Sequence, residues 1–463
     1  MPRVFAIESM PTSAAYVIGA LEAAGFEAWM VGGWVRDTLL GKTSHDIDIT
    51  TDARWEQTKR VLEEAGCEVC ETGTELGTVT VVCEGESMEV TTYRVEGAYD
   101  DHRHPSEVRF VSDVKDELAR RDLTVNAMAW NPARGLLDPF GGLRDLDRGC
   151  VRAVGDPWRR FDEDALRMLR AVRFSACLGF TVEQQTQRAL AGRATGLMDV
   201  ASERMGRELD ALVRAGKAGT ASLEQPEVMC AAIPELADAR GFNQRSVYHV
   251  YDVYEHIAHV CNAVQAFTAG CAMPELQWAA LLHDVAKPAT YSEDVDGYGH
   301  FFDHPRQGAL MADAIMRRFA IPSEVREAAC ALIRLHDERM PATEQAIRRM
   351  LKELSGSCKG REVPLGFALF DLRRADAVAK CPSAASWAHE MDQYSALLRA
   401  EVARSPVFEV GHLAVGGADV MRTCVLQPGP AVGLQLDVLL RVVMAGEVPN
   451  EREALLAWLA GHT

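Results

Sequence analysis

Asp46 and Asp48 are the first residues in this chain whose types and spacing suggest chemistry. They lie in Ser44-His45-Asp46-Ile47-Asp48-Ile49-Thr50, where the apolar/polar alternation predicts a strand over 46–50. Residues i and i+2 of a strand face the same way, so both carboxylates share one face and Ile47 and Ile49 take the other. Oxygen-rich pairs of this kind suit Mg2+, which keeps waters and draws its other ligands from substrate phosphates. Alone, the pair equally suits a solvated strand face. Its neighbours argue for more. Gly32-Gly33 falls between a predicted strand (28–31) and a predicted helix running through Leu40. Glycines there let backbone N–H groups approach a phosphate, and the helix start favours its negative charge. Arg36 can reach phosphate oxygens while Asp37 holds it in place. Glu89, in Glu89-Val90-Thr91-Thr92-Tyr93-Arg94, adds a third carboxylate on a strand able to pair beside the first. Three carboxylates and a glycine turn are the parts of two-metal phosphoryl transfer, in which one ion activates the attacking oxygen and the other steadies the leaving group.

With these residues in view, Gly32-Gly33-Trp34-Val35-Arg36-Asp37, Leu39-Leu40-Gly41 and Asp46-Ile47-Asp48-Ile49-Thr50 resemble the first motif of the class II CCA-adding enzymes, tRNA nucleotidyltransferases of the polymerase-beta superfamily. Arg120-Arg121-Asp122-Leu123-Thr124-Val125-Asn126-Ala127 is similar to the family's ribose-contacting motif, and Asp138-Pro139-Phe140-Gly141-Gly142 to its hinge. Glu163-Asp164-Ala165-Leu166-Arg167-Met168-Leu169-Arg170 resembles the nucleobase-reading motif, and Ser202-Glu203-Arg204 the fifth. The resemblance covers nearly all of residues 25–210 in order. It implies addition of C, C and A to a tRNA 3′ end from CTP and ATP, with Mg2+ on Asp46, Asp48 and Glu89. It also implies nucleotide contacts from Gly32, Gly33, Arg36, Arg121, Asp122, Asn126, Asp164, Arg167 and Arg170. Asp122 and Asn126 would take the ribose hydroxyls; Arg121 would either face phosphate or pair with Asp122.

Asp164 and Arg167, at i and i+3, are expected to share one helical face, with Leu166, Leu169 and Val172 packing on another. A carboxylate accepts from an exocyclic amine and a guanidinium donates to ring nitrogens and carbonyls. C and A both present an amine beside an acceptor, so one such pair can admit both and reject U and G. Spacing alone fits a surface ion pair as well. The stretch from Arg94 to Glu107, a polar and weakly patterned segment containing Tyr99-Asp100-Asp101-His102-Arg103, reads as a mobile loop. It resembles the family's flexible loop, which implies full C-C-A addition rather than partial CC- or A-addition. A poly(A) polymerase of bacterial type would instead carry an Arg-Arg-Phe signature after the acidic strand and a basic tail. Residues 71–78 and 446–463 show neither. Two rivals remain, a phosphohydrolase acting on RNA ends whose head only binds RNA and a non-catalytic tRNA-binding protein; each would need a degraded acidic pair, and Asp46 and Asp48 are both present.

A second constellation runs through residues 246–380: His256, then His283-Asp284, His304, His336-Asp337 and Asp376. It resembles the HD domain, an all-helical metal-dependent phosphohydrolase fold. Imidazoles with carboxylates suit a first-row divalent transition ion better than Ca2+. His256, His283, Asp284 and Asp376 are the expected ligands, with His304 and His336 as further ligands or phosphate contacts. Near the C-terminus, Leu413 to Met421 and residues 446–451 resemble the family's tail, with Gly416 and Ala418 standing where the family often has Asn and Lys.

These residues require a mixed frame. Hydropathy patterning predicts a helix over 12–24, strands over 28–31, 46–50, 78–83 and 88–93, and helical periodicity from about Trp158 onward. The expected class is α+β, with a nucleotidyltransferase head of mixed β-sheet and helices (1–145), an all-α neck binding nucleobase and RNA (146–245), an HD body (246–380) and a helical tail (381–463). A net charge of −18 argues against a general nucleic-acid coat but not against a local basic groove. No apolar run is long enough for a membrane span and no secretory leader is apparent. The scattered cysteines, 12 in all, suit a reducing cytoplasm, and the Cys67/Cys70 pair, with no second pair at zinc spacing, reads as structural. Oligomeric state is not legible.

Overall fold

Seven strands pair in the order Glu68–Gly73, Thr78–Cys83, Glu86–Thr92, Asp48–Thr51, Ala28–Val31, Ala129–Asn131, Gly135–Leu137, and the third and fourth of these carry Glu89 and Asp48. The computed structural model describes residues 7, 10–44, 46–97, 108–270, 273–381, 385–404 and 407–462. In chain order the first nine strands are β1 (Ala28–Val31), β2 (Asp48–Thr51), β3 (Glu68–Gly73), β4 (Thr78–Cys83), β5 (Glu86–Thr92), β6 (Arg94–Glu96), β7 (Val108–Phe110), β8 (Ala129–Asn131) and β9 (Gly135–Leu137). β1 lies between β2 and β8, and all four of its residues are buried. β2 and β5 run parallel, with Asp48 opposite Glu89. Strand alternation sorts the faces. Val79, Val81, Cys83, Met88 and Val90 are buried on one side, where helices Thr12–Ala23 and Trp55–Glu64 pack. Asp48, Glu89, Thr78 and Thr91 look the other way, toward an open cavity.

The chain forms two compact units, one from Met1–Glu208 with Gln225–Ala232, the other from Leu209–Glu224 with Ile233–Thr463. Beyond its sheet the first unit continues into helices Pro157–Glu163, Leu166–Leu178 and Gln184–Arg193. The second is built from helices that include Val253–Phe267, Pro274–Leu282, His304–Arg318, Ser323–Leu335, Glu344–Ser357 and Glu362–Lys380. Its C-terminal helices Gly417–Thr423, Pro430–Met444 and Arg452–Gly461 close on a core of Val420, Leu439, Leu440, Leu455 and Leu459. Asp419 ties two of them together by accepting from Arg452, 2.8 Å from Nη1. No helix among the described residues is long and apolar enough to cross a membrane.

Four expectations change. Asp46 precedes β2 rather than opening it, although Glu89 N donates to Ile47 O at 3.1 Å and carries the ladder one residue beyond the strand. The stretch expected to be a loop from Arg94 starts as β6, because Arg94–Glu96 finds backbone partners in Val108–Phe110; Tyr99 to Arg103 lie outside the described residues. The largely helical second unit contains a hairpin, Tyr291–Glu293 against Gly299–Phe301, closed by a turn in which Gly297 takes φ +83°. Finally, Asp164 is not on a helix. Helix Pro157–Glu163 ends at it in extended geometry (φ −145°, ψ 107°), and the next begins at Leu166.

Candidate functional site

The acidic residues are set by the sheet. Parallel pairing puts Asp48 and Glu89 side by side on strands spaced about 4.8 Å apart. Asp46 joins them in the wall of one cavity of about 670 Å³. Burial pushes the Asp48 carboxyl up to about 6; Arg121 pulls it down, while Asp46 and Glu89 push it further up. Carboxylates crowded in this way are a donor set that a divalent cation relieves, and an all-oxygen set suits Mg2+. Gly32, directly before helix Gly33–Leu39, has φ +70°, and a Cβ there would stand 2.8 Å from Arg121 Nη1 and 3.2 Å from Asp48 Oδ2. Only a residue without a side chain lets the acidic strand and Arg121 approach this closely.

Around the carboxylates, ion pairs fix the polar side chains. Arg36 makes a fork to Asp37 (2.9 and 2.8 Å) and donates to Asn126 Oδ1 at 2.6 Å. Asn126 Nδ2 donates to Asp122 at 3.1 Å, so Asp37, Arg36, Asn126 and Asp122 form one chain of bonds. Asp122 takes its charge partner from Arg170 (2.7 Å), not Arg121. Burial raises its carboxyl, but Arg170 and the bonds from Asn126 and Leu123 outweigh that and hold it far below the usual carboxylate range. Arg121 lies instead 3.5 Å from the fully buried Glu117. Asp164 and Arg167 are not paired with each other. Asp164 accepts from Leu166 N (3.1 Å) and from Arg204 (2.8 Å), whereas Arg167 donates to Glu163 (2.8 Å) and to the Arg160 and Arg120 carbonyls.

Gly32, Gly33, Arg36, Asp46, Asp48, Glu89, Arg121, Asp122, Asn126, Asp164, Arg167 and Arg170 all line this one cavity. The structure adds residues that sequence reasoning left without a role. Phe174 has the guanidiniums of Arg36, Arg170 and Arg173 within 5.6 Å of its ring centre. Arg204 anchors Asp164, and its signal was the Ser-Glu-Arg motif. Eight arginines and five carboxylates face the cavity, a local positive excess in a chain of net charge −18.

In the second unit His256, His283, Asp284, His304, His336 and Asp376 are all buried and converge. His256 Nε2 lies 3.0 Å from Asp376 Oδ1 and 3.4 Å from Asp284 Oδ2; His283 Nε2 lies 3.2 Å from the same Asp284 oxygen. His283, His304 and His336 each place Nδ1 against the carbonyl three residues earlier, at 2.9, 2.8 and 2.6 Å. A carbonyl only accepts, so Nδ1 carries the proton and a neutral ring turns its Nε2 lone pair inward, the arrangement that metal-binding histidines use. His283 Nε2, His304 Nε2 and both Asp284 oxygens are buried without a well-directed hydrogen bond. Such a set fits a divalent transition ion. Lys287 and Lys380, unremarked in the sequence, stand beside Asp284 (2.7 Å) and Asp376 (2.6 Å), at i+3 and i+4 on the same turns.

A sheet-borne acidic cavity able to take a nucleotide, on a chain with an HD-type histidine cluster, defines a metal-dependent nucleotidyltransferase with an HD body. Known proteins agree. The family model for the Poly A polymerase head domain matches residues 28–152, that for the HD domain 247–379, and that for tRNA nucleotidyltransferase domain 2 residues 373–459. A CCA-adding enzyme of Leuconostoc mesenteroides is 46% identical over 224 residues, 48% of this chain and 53% of the relative. One of Geobacillus kaustophilus is 32% identical over 444 residues, 96% of this chain and 95% of the relative. The crystal structure of Bacillus stearothermophilus CCA-adding enzyme in complex with CTP superposes with a TM-score of 0.72 at 28% identity, covering 98% of each chain. The chain belongs to the CCA-adding enzymes.

Proposed function

We propose that this chain adds C, C and A, without a template, to the 3′ end of tRNA from CTP and ATP. The observation that carries the reading is the single cavity whose walls hold the acidic cluster, Asp122 with Asn126, and Asp164 with Arg167. Its volume of about 670 Å³ is of the size that holds a small-molecule ligand. Asp46, Asp48 and Glu89 would hold two Mg2+, which supply activation of the attacking 3′ oxygen and charge relief at the leaving pyrophosphate. Arg36 and Arg121 bind triphosphate oxygens beside the Gly32-Gly33 turn. Asp122 and Asn126, held by Arg170 and Arg36, take the ribose hydroxyls. Asp164, pinned by Arg204, accepts from the exocyclic amine of C or A, and Arg167, oriented by Glu163, donates to the adjoining ring acceptors. U and G would set a carbonyl against the carboxylate, a mismatch costing about 1–3 kcal/mol.

The division into head (1–145), neck (146–245), HD body (246–380) and tail (381–463) belongs to the same proposal; the family matches at 28–152, 247–379 and 373–459 support it. In the HD body His256, His283, Asp284 and Asp376 would hold a divalent transition ion. Thiols outside any disulfide, such as those of Cys261, Cys330 and Cys358, support a place in the reducing cytoplasm. The test is Asp46→Ala and Asp48→Ala, each expected to lower nucleotide addition by about a hundredfold to a thousandfold, the scale of losing a preorganised charge stabiliser. Addition that survives either change would show that the metal assignment in the head is wrong.

A further inference from the structure

We propose that Glu117 positions Arg121 for the phosphates of the incoming nucleotide, a buried carboxylate acting through an arginine of the cavity wall. The inference rests on the assignment of Arg121 to triphosphate oxygens above and deepens it. Glu117 lies in the helix Val114–Ala119, just before Arg120-Arg121-Asp122, and is fully buried. Its two oxygens touch three residues that line the cavity, Arg94, Arg120 and Arg121. Oε2 accepts from Arg120 Nε at 2.7 Å and from the backbone N–H of Arg94, at the start of β6, at 3.2 Å. Oε1 accepts from Arg120 Nη2 at 2.5 Å and stands 3.5 Å from Arg121 Nη2.

Stability alone does not call for a carboxylate here, since a buried ion pair gains little over apolar packing of the same volume. Within the pair the fork from Arg120 already serves Glu117. Arg121 is the group left wanting. Its Nη1 reaches the Asn126 carbonyl at 3.5 Å, and its Nε is buried without a hydrogen bond. A guanidinium has five N–H donors to satisfy, and these contacts leave most of them open. Burial pulls the Arg121 guanidinium below its ordinary value, and of the charges around it Glu117 raises it most. The acidic cluster lies on the other side: a Cβ on Gly32 would meet both Arg121 Nη1 and Asp48 Oδ2. An arginine held from one side only would be drawn onto those carboxylates and take the oxygens that the ions need. Glu117, pulling on Nη2 from behind, balances that attraction and leaves the Nη1 edge at the glycine turn. One edge anchored and one edge open is the preorganised fork that binds phosphate oxygens.

The test uses the full-length chain with ATP and a tRNA ending in C-C, so that a single addition is read. Glu117→Gln is expected to raise KM for ATP about tenfold with kcat within about twofold, the pattern of lost binding rather than lost chemistry. Pyrophosphate, which offers the same phosphates, should inhibit about tenfold less well. A merely structural role would lower kcat with the amount of folded enzyme and leave KM and pyrophosphate inhibition where they were, and that result overturns the proposal. In a chain already carrying Arg121→Ala, Glu117→Gln should weaken pyrophosphate inhibition no further; a full additional loss overturns the route through Arg121. Arg121→Ala with KM unchanged overturns the phosphate assignment and the inference together, whereas a raised KM for Arg121→Ala and an unchanged one for Glu117→Gln overturns the positioning role alone. If Glu117→Gln fails to fold, Glu117→Asp, which keeps the charge and withdraws it by one methylene, should raise KM about threefold; an unchanged KM there overturns the proposal as well.

Discussion

Asp122 receives bonds from three directions, and its environment makes a pH-dependent prediction. Arg170, Asn126 and the Leu123 amide hold its carboxyl below the ordinary value despite its burial. Because the folded value lies below the unfolded one, the stabilisation is fully present above about pH 4 and is lost as pH falls toward the folded value. Asp122→Asn should therefore cost about 1–3 kcal/mol at pH 7, and scanning calorimetry should show the gap to wild type narrowing at pH 3. A gap that does not change with pH would contradict the assigned partners. On the proposed reading of the base, Asp164 governs choice rather than stability. Asp164→Ala should lower the preference for CTP over UTP, in kcat/KM, by about tenfold to a hundredfold. Arg204→Ala should shift it the same way by less, since Arg204 only orients the carboxylate. Sequence reading reached Asp46, Asp48 and Glu89 because strand alternation is a local property. It missed the partners of Asp122 and Asp164 because Arg170 and Arg204 lie 48 and 40 residues further along the chain, and only the fold brings them back.

At the scale of elements, two glycine turns set the geometry and separate activity from stability. Gly32 has φ +70° and faces Arg121 and Asp48, side chains that belong to the site. Gly32→Ala should therefore remove most nucleotide addition while costing about 1–3 kcal/mol of stability, the scale of a strained left-handed residue. Gly142 is different. A Cβ there would stand 2.3 Å from the Thr124 carbonyl, while Asp138 caps the same helix start by accepting from Gly142 N (2.7 Å) and Leu143 N (3.0 Å). Gly142→Ala should destabilise the whole first unit, visible as a lowered thermal midpoint and poor expression; a stable but inactive variant would contradict this. Strand-turn-helix at Gly32 was legible because glycine punctuates two periodic segments. The break at Asp164 was not: one extended residue between two helices leaves the 3.6-residue pattern of both intact, so spacing placed Asp164 on a helix that it does not enter. The hairpin at 291–301 escaped for a similar reason, being two three-residue strands within a largely helical stretch.

At the scale of the whole molecule, the acidic cavity and the histidine cluster belong to different compact units and use different donor chemistries. Each should therefore fail by itself. His283→Ala should abolish Mn2+ uptake by the second unit and leave nucleotide addition within about twofold of wild type, an effect of under 0.5 kcal/mol on the barrier; a parallel loss of addition would contradict that independence. The α+β plan was legible from hydropathy patterning, and the two candidate ligand sets that the fold gathers could be picked out because each lies in motifs of a few residues. The carbonyls that aim the histidines were not, since any residue supplies one. The central claim concerns the head, and the most direct measurement is stepwise addition to tRNA lacking its last three nucleotides, with labelled CTP and ATP supplied singly and together. The account predicts two C residues with CTP alone, C-C-A with both, and then arrest. Long runs of A, or incorporation of U or G at comparable rates, would contradict it.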